Sequence, residues 1–127
     1  MSNIDKLKEF HKKANYPIND KLNLDTRESE MPLRVELLKE EFSEYLRAEY
    51  DNDIVEVADG LADMLYIIYG TALTYGIPLD RIFDEVHRSN MTKFTEGVIV
   101  RDDGKILKGK DFEEPKLREI LYDKESS

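Results

Sequence analysis

The chain has 127 residues, 28 acidic and 19 basic side chains, no cysteine and a formal net charge of −9 at pH 7. This length suits one domain with one hydrophobic core, so residues 1–127 are predicted to form a single domain. The acidic balance argues against a nucleic-acid binder, which needs clustered Lys and Arg. The absence of cysteine excludes disulfides, thiolate zinc sites and thiol nucleophiles.

The sequence predicts neither a membrane helix nor a secretory signal. No apolar stretch approaches the roughly 20 residues that cross a bilayer. The first residues, Met1-Ser2-Asn3-Ile4-Asp5, do not have a basic region followed by an apolar one. A cytoplasmic location is therefore expected, with no membrane partner.

Helical periodicity is clear in the first half of the chain. The first helix is predicted from about Ile4 to Ala14, followed by a polar loop from Tyr16 to Pro32. The second helix is predicted from Leu33 to about Tyr50. Its core face is expected to contain Leu38, Phe42, Tyr45 and Leu46.

A third helix is predicted from Ile54 to Tyr75, capped by Asp53 and ended by Gly76. A fourth is expected to start at an Asp80 cap and to reach about Phe94. Its inward residues are expected to be Ile82, Phe83 and Val86.

The C-terminal region changes pattern. Val98-Ile99-Val100 and Ile106-Leu107 flank Asp103-Gly104, which predicts a small hairpin. A terminal helical turn is expected from Pro115. The fold class is therefore all-α, a four- to five-helix antiparallel bundle with a short hairpin-like tail.

Acidic residues lie beside the apolar stripes of the two central helices. At 100° per residue, Glu41 and Glu44 share one face of the second helix. On the third helix, Glu56, Asp59 and Asp63 fall within a sector of about 60°. Antiparallel packing would bring these carboxylates together, where their repulsion is severe without a cation.

Asp63 is the most informative of these acids, because every other residue from Leu61 to Tyr69 is apolar or aromatic. An unpaired buried carboxylate costs several kcal/mol, so we expect a partner. The alternatives are an ion pair with Lys or Arg, a hydroxyl, or a metal. We favour Mg²⁺ or Mn²⁺, which prefer oxygen ligands.

At these residues the chain resembles the MazG-like all-α NTP pyrophosphatase superfamily, whose signature is ExxE on one helix and ExxD on the next. Here the motifs read Glu41-Phe42-Ser43-Glu44 and Glu56-Val57-Ala58-Asp59. The blocks Glu56–Gly70, Asp84–Lys93 and Asp103–Gly109 are similar to its phosphoribosyl-ATP pyrophosphohydrolase-like branch. An alternative register places Asp63 at the last acidic position and Gly60 at the glutamate position.

The resemblance implies hydrolysis of a nucleoside triphosphate between its α and β phosphates, releasing a monophosphate and pyrophosphate. It implies that Glu41, Glu44, Glu56 and Asp59 are the catalytic, metal-binding acids for Mg²⁺ or Mn²⁺. Asp63 is expected to be an additional ligand or to support the ligands. The superfamily closes its metal face by pairing protomers, so a homodimer or a dimer of dimers is expected.

Substrate-binding residues are expected outside the acidic set. Asn90 and Lys93 continue the inward stripe of the fourth helix and suit a phosphate or nucleoside, although they also suit a helix end. Lys105, Lys108 and Lys110 form a basic cluster that either closes over the triphosphate or is solvated.

Aromatic residues are candidates for contact with a base. Tyr66, together with Tyr16 and Pro17 of the first loop, would contact a base or pack in the core. His11 and His87 have no metal-type spacing, and we interpret them as structural.

Three other functions stay open at this point. The first is hydrolysis of phosphoribosyl-ATP in histidine biosynthesis, and the second is nucleotide binding without turnover. The third is a non-catalytic acidic helical module that binds a basic partner. Within the favoured function, a house-cleaning or dUTPase-like role is expected, but the sequence does not select the nucleotide.

Overall fold

A computed structural model of the chain describes residues 1–94 and 97–122, and over these residues it confirms the all-α class. It has five α-helices and one two-stranded hairpin in that part of the chain. The helices are α1 (Asn3–Ala14), α2 (Leu24–Tyr50), α3 (Ile54–Tyr75), α4 (Leu79–Met91) and α5 (Leu117–Tyr122), and the strands are β1 (Ile99–Val100) and β2 (Ile106–Leu107). None of the helices described is both long and apolar enough to cross a bilayer.

The described residues fall into two compact units, Met1–Ile77 and the part from Pro78 onward. In the first unit, α2 and α3 pack along each other and α1 packs on α3. A turn of three residues joins α2 to α3, so the two helices run antiparallel. In the second unit, α4 packs on α5. The single domain over residues 1–127 stays a prediction.

Capping residues set the ends of α1 and α3 where the sequence predicts them. Ser2 Oγ accepts a hydrogen bond from the Asp5 N–H at 3.2 Å, and the Asp5 carboxylate accepts from the Ser2 N–H at 3.4 Å. At α3, Asp53 Oδ1 accepts from the Glu56 N–H at 3.2 Å. Gly76 ends α3 with a φ of 79°.

The predicted start of α2 at Leu33 is wrong, because the helix begins at Leu24 and includes Pro32. The Asn23 side chain caps it by accepting a backbone N–H at 3.0 Å. Pro32 removes the hydrogen bond that the Glu28 carbonyl would accept. Both residues are exposed, so water can replace that bond, and one proline does not end the helix.

The face of α2 that packs on α3 also differs from the predicted one. Arg34, Glu41 and Ala48 repeat every seven residues on the α3 side, and Arg34 and Ala48 are buried. Among the predicted core residues Tyr45 is half-buried. The other three are exposed: Leu38 by 37%, Phe42 by 45% and Leu46 by 40%. A helical wheel assigns the most apolar stripe of a helix to the core. Here polar contacts with α3 hold the neighbouring stripe of Arg34, Glu41 and Ala48 against that helix.

The boundaries of α4 differ slightly from the predicted ones. Pro78 occupies the cap position, so Asp80 lies in the first turn and is not the cap. An acidic side chain is favourable both at the cap and in the first turn, because the helix dipole is positive at this end. The sequence alone therefore does not distinguish the two positions for Asp80. The helix ends at Met91, before the predicted Phe94. Phe83, expected to face inward, is 68% exposed.

The predicted hairpin is confirmed. Ile99 pairs with Leu107 and Val100 with Ile106 in antiparallel register. Gly104 in the turn has a φ of 94°, which glycine adopts without strain.

The segment between α1 and α2 is fixed to the C-terminal end of α3. The Asn19 N–H donates to the Leu73 carbonyl at 3.0 Å, and the Asn23 N–H donates to the Tyr75 carbonyl at 2.8 Å. The Asn19 side chain donates to the Thr74 carbonyl at 2.8 Å. These bonds satisfy carbonyls that have no partner within the helix.

Candidate active site

An acidic cluster lies where α2 packs on α3. One carboxylate oxygen each from Glu41, Glu44 and Asp63 lies within 4.8 Å of the other two. Partial burial raises the pKa of Glu41, and the negative charges of Glu44, Asp63 and Asp59 raise it further. Burial also raises the pKa of Asp63, followed by the charge of Asp59. Four of the five predicted acids are therefore close enough to repel one another.

Gly60 permits the helix crossing that brings these acids together. A Cβ atom at Gly60 would lie 3.1 Å from both Cα and Cβ of Tyr45. The acids of α2 and those of α3 flank this crossing. A glycine at the contact therefore sets the spacing between the two rows of carboxylates.

The cluster has the donor set that a hard divalent cation requires. Glu41 Oε2 is buried and has no hydrogen-bond partner among the described residues. The ion pairs found in residues 1–94 and 97–122 give none of the four acids a Lys or Arg partner. A buried carboxylate oxygen without a partner costs free energy that a cation would recover. Carboxylate oxygens are the ligands that Mg²⁺ and Mn²⁺ prefer.

Glu56 lies apart from this convergence. It is an exposed residue in the first turn of α3, about 10 Å along the helix axis from Asp63. It shares a helix face with Asp59 but does not belong to the group of oxygens within 4.8 Å. A ligand role for Glu56 therefore stays a prediction.

A pocket of about 130 Å³ includes Leu37 and Tyr66, which lie about one helical turn from Glu41 on α2 and from Asp63 on α3. Its walls are mainly aromatic and aliphatic, and its lining residues are Leu7, Phe10, His11, Tyr16, Arg34, Leu37, Tyr66 and Ile67. The Phe10 ring meets Tyr66 edge-on at 5.5 Å and Tyr16 at 6.1 Å between centroids. The two tyrosines proposed for base contact are therefore in one pocket.

Arg34 forms part of the pocket wall and is only 4% exposed. Its Nε donates to Thr71 Oγ1 and its Nη2 donates to the Ile67 carbonyl, both at 2.9 Å. None of the ion pairs of the described residues involves Arg34. Gly70 leaves room for the guanidinium, because a Cβ there would lie 2.6 Å from Nη2.

Sequence reasoning missed Arg34. Its signal was the spacing of seven residues between Arg34 and Glu41, which places both on one face of α2. That signal is masked when Pro32 is interpreted as the end of a loop. Arg34 then stands in the first turn of the predicted helix, where nothing marks it as a buried residue.

His11 supports the pocket and is 1% exposed. Its Nδ1 donates to the Pro17 carbonyl at 2.9 Å. Burial lowers the pKa of His11, and the nearby charge of Arg34 adds to this effect. The imidazole is therefore neutral at neutral pH, in line with a structural role. His87 is exposed.

The predicted phosphate-binding residues lie in the second unit. The Nζ atoms of Lys93 and Lys108 lie 5.9 Å and 5.0 Å from the centroid of the Phe112 ring. Phe112 thus brings the end of α4 close to the residue after β2. Lys108 also pairs with Glu114 at 3.0 Å. The other two candidates, Asn90 and Lys105, are exposed.

Residues 7–90 match the phosphoribosyl-ATP pyrophosphohydrolase family. The matched region contains the acidic cluster and the pocket. An uncharacterized protein of Acanthamoeba polyphaga mimivirus is 28% identical over 104 residues, which cover 78% of this chain. The match covers 41% of the length of that viral protein.

Proposed function

Because the chain belongs to the phosphoribosyl-ATP pyrophosphohydrolase family, we propose that it is a metal-dependent nucleotide pyrophosphohydrolase. It would hydrolyse the bond between the α and β phosphates of a nucleoside triphosphate. The convergence of three carboxylates within 4.8 Å carries this proposal, together with one buried oxygen that has no hydrogen-bond partner among the described residues. Such crowding is repulsive in the free protein and favourable around a divalent cation.

We assign Glu41, Glu44 and Asp63 as the residues that hold Mg²⁺ or Mn²⁺. When bound, the cation supplies positive charge to the phosphates and Lewis acidity to the attacking water. Asp59 and Glu56 lie on the same side of α3 as Asp63. A carboxylate there that does not hold the cation can orient the water and accept its proton. Asn90, Lys93, Lys105 and Lys108 are substrate-binding candidates on the sequence argument.

The purified protein with Mg²⁺ or Mn²⁺ is expected to release pyrophosphate and a nucleoside monophosphate in equal amounts. A pyrophosphate assay across the common ribo- and deoxyribonucleoside triphosphates, with dUTP and an oxidised purine nucleotide included, tests this. A house-cleaning or dUTPase-like role predicts a marked preference for one of these nucleotides. Release of orthophosphate, or of neither product, would contradict the proposal.

Phosphoribosyl-ATP is the second candidate substrate, and the match over residues 7–90 favours it. Hydrolysis of phosphoribosyl-ATP and of a nucleoside triphosphate breaks the same bond and releases pyrophosphate in both cases. Only a direct comparison of the two substrates therefore decides which one the protein prefers. The same assay therefore includes phosphoribosyl-ATP beside the simple triphosphates. The non-catalytic alternative has less support, because oxygens of Glu41, Glu44 and Asp63 converge between two helices.

We also propose that two copies pair through the outer face of α2. Leu38, Phe42 and Leu46 are spaced four residues apart and form an exposed apolar stripe. Helices with such a stripe commonly bury it against another helix. Sedimentation should give two or four times the mass of one chain, and Phe42→Glu should reduce it. Glu40→Lys, at an exposed position on another side of α2, should not. A wild-type monomer would contradict the pairing.

A further inference from the structure

We infer that the pocket beside Arg34 receives the nucleobase, and that Arg34 selects an oxo group over an amino group at C6 of a purine or C4 of a pyrimidine. The favoured substrates are then nucleotides of hypoxanthine, guanine, uracil or thymine, and adenine and cytosine nucleotides are disfavoured. This inference rests on the proposed function for nucleoside triphosphates, because it names the substrate class of the same site, and it argues against phosphoribosyl-ATP, which carries an adenine base.

The hydrogen-bonding chemistry of Arg34 gives the direction of the preference. A guanidinium has five N–H donors and no acceptor. Thr71 and Ile67 take one donor each, from Nε and Nη2. The remaining donors are on Nη1 and Nη2, and Arg34 lines the pocket. An oxo group accepts from them, whereas an amino group would place donor against donor.

The burial of Arg34 makes this preference strong. The side chain is 4% exposed, and its two hydrogen bonds go to neutral oxygen atoms. The buried guanidinium keeps N–H donors that these two bonds do not use. Each hydrogen-bond acceptor that enters the pocket beside them therefore binds favourably. A base that places an amino group against those donors would leave them without water and without a partner.

The pocket walls favour a base over a second phosphate group. Phe10, Tyr16 and Tyr66 present aromatic surface, on which a flat base stacks. A phosphate requires several donors around it, and Arg34 supplies the one charged group of the lining, since His11 is neutral. The lining is therefore that of a base pocket with one selective polar contact.

The position of the pocket relative to the acids suits a nucleotide. Arg34 and Glu41 lie on one face of α2, about 10 Å apart along the axis. Tyr66 is one turn beyond Asp63 on α3, so the pocket begins where the cluster ends. A base beside Arg34 would leave the phosphates directed toward the carboxylates.

Two matched pairs of substrates test the inference. ITP differs from ATP, and UTP from CTP, by an oxo group in place of an amino group on the ring. The wild type should show a kcat/KM about 10-fold or more higher for the oxo member of each pair. In Arg34→Gln the preference should fall to near unity or invert, because an amide both donates and accepts and suits adenine.

The specificity ratio is independent of how much variant protein folds, so partial loss of stability does not confound it. Arg34→Lys retains donors without the planar fork and should keep a reduced oxo preference. An oxo-to-amino ratio equal in wild type and Arg34→Gln would overturn the inference while leaving the proposed function intact. Equal weakening of all nucleotides would overturn it too, and would assign Arg34 to phosphate binding or to structure.

A binding measurement separates this inference from the proposed function. Calorimetric titration of the protein with IMP against AMP, and with UMP against CMP, requires no turnover. Tighter binding of IMP and UMP that is lost in Arg34→Gln supports the pocket even if no triphosphate is hydrolysed. Equal affinities within each pair would overturn the inference whatever the outcome of the pyrophosphate assay.

Discussion

Glu41→Gln is expected to lower kcat for pyrophosphate release by more than about 100-fold, because loss of groups that merely support metal ligands already costs about 10- to 100-fold. Glu41 has the buried oxygen that lacks a hydrogen-bond partner among the described residues, and one of its oxygens lies within 4.8 Å of those of Glu44 and Asp63. Gln preserves the size of the side chain and removes its charge. A steady-state assay at saturating Mn²⁺ measures the effect, and Glu40→Gln, at an exposed neighbour, should retain activity.

Thermal unfolding distinguishes loss of the metal site from loss of the fold. Burial and neighbouring charges raise the pKa of Glu41, so its ionised form is disfavoured in the folded protein. Glu41 therefore stabilises the folded protein at pH values below its ordinary pKa. This contribution to the free energy of unfolding is lost as the pH rises through the raised pKa of the folded state. At neutral pH without metal, Glu41→Gln should therefore be at least as stable as the wild type.

Mn²⁺ should raise the Tm of the wild type and of Glu40→Gln, and should raise that of Glu41→Gln much less. An unchanged response to Mn²⁺ together with full activity in Glu41→Gln would show that the cluster is not the metal site.

Glu56→Gln and Asp63→Asn, measured together, decide between the two motif registers. The convergence of oxygens favours the larger loss in Asp63→Asn.

Gly76→Ala is expected to lower the free energy of unfolding by about 2–5 kcal/mol. Gly76 has a φ of 79°, where a residue with a side chain pays about 1–2 kcal/mol. A Cβ atom there would also overlap the carbonyl oxygen of Lys21, which belongs to the segment bonded to the end of α3. Urea unfolding followed by circular dichroism measures the change.

Asn52→Ala is the matched control within the same unit. Asn52 also has a positive φ, 55°, but it lies in the exposed turn between α2 and α3. Its replacement should cost only about 1 kcal/mol from the backbone conformation. Equal losses in the two variants would mean that the contact between the first loop and the end of α3 has no energetic weight.

Local chemistry explains why much of the fold was predictable. Ser2 and Asp53 cap helices through their own side chains, and Gly76 ends α3 because glycine tolerates a positive φ. The Asp103-Gly104 turn fixes the hairpin in the same way. Each of these signals acts within a few residues, so tertiary contacts were not needed to locate it.

The errors at α2 arise from interactions with α3. Sequence rules weigh Pro32 as a helix breaker and the stripe of Leu38 and Phe42 as the core. In the folded unit, Arg34 bonds to α3 and Glu41 meets the acids of α3, so the polar stripe is inside. Propensity and hydropathy do not include the partners that make such burial favourable.

The sequence by itself determined the helical class, most helix ends and which acids share a helix face, because helical period and capping are local properties. The tertiary structure decided which acids meet, since the Gly60 contact with Tyr45 sets the crossing of α2 and α3. It also decided that Arg34 lines a pocket with aromatic walls. The physical reason is that the partners of a buried charge lie on another helix, distant in sequence, and only packing brings them together.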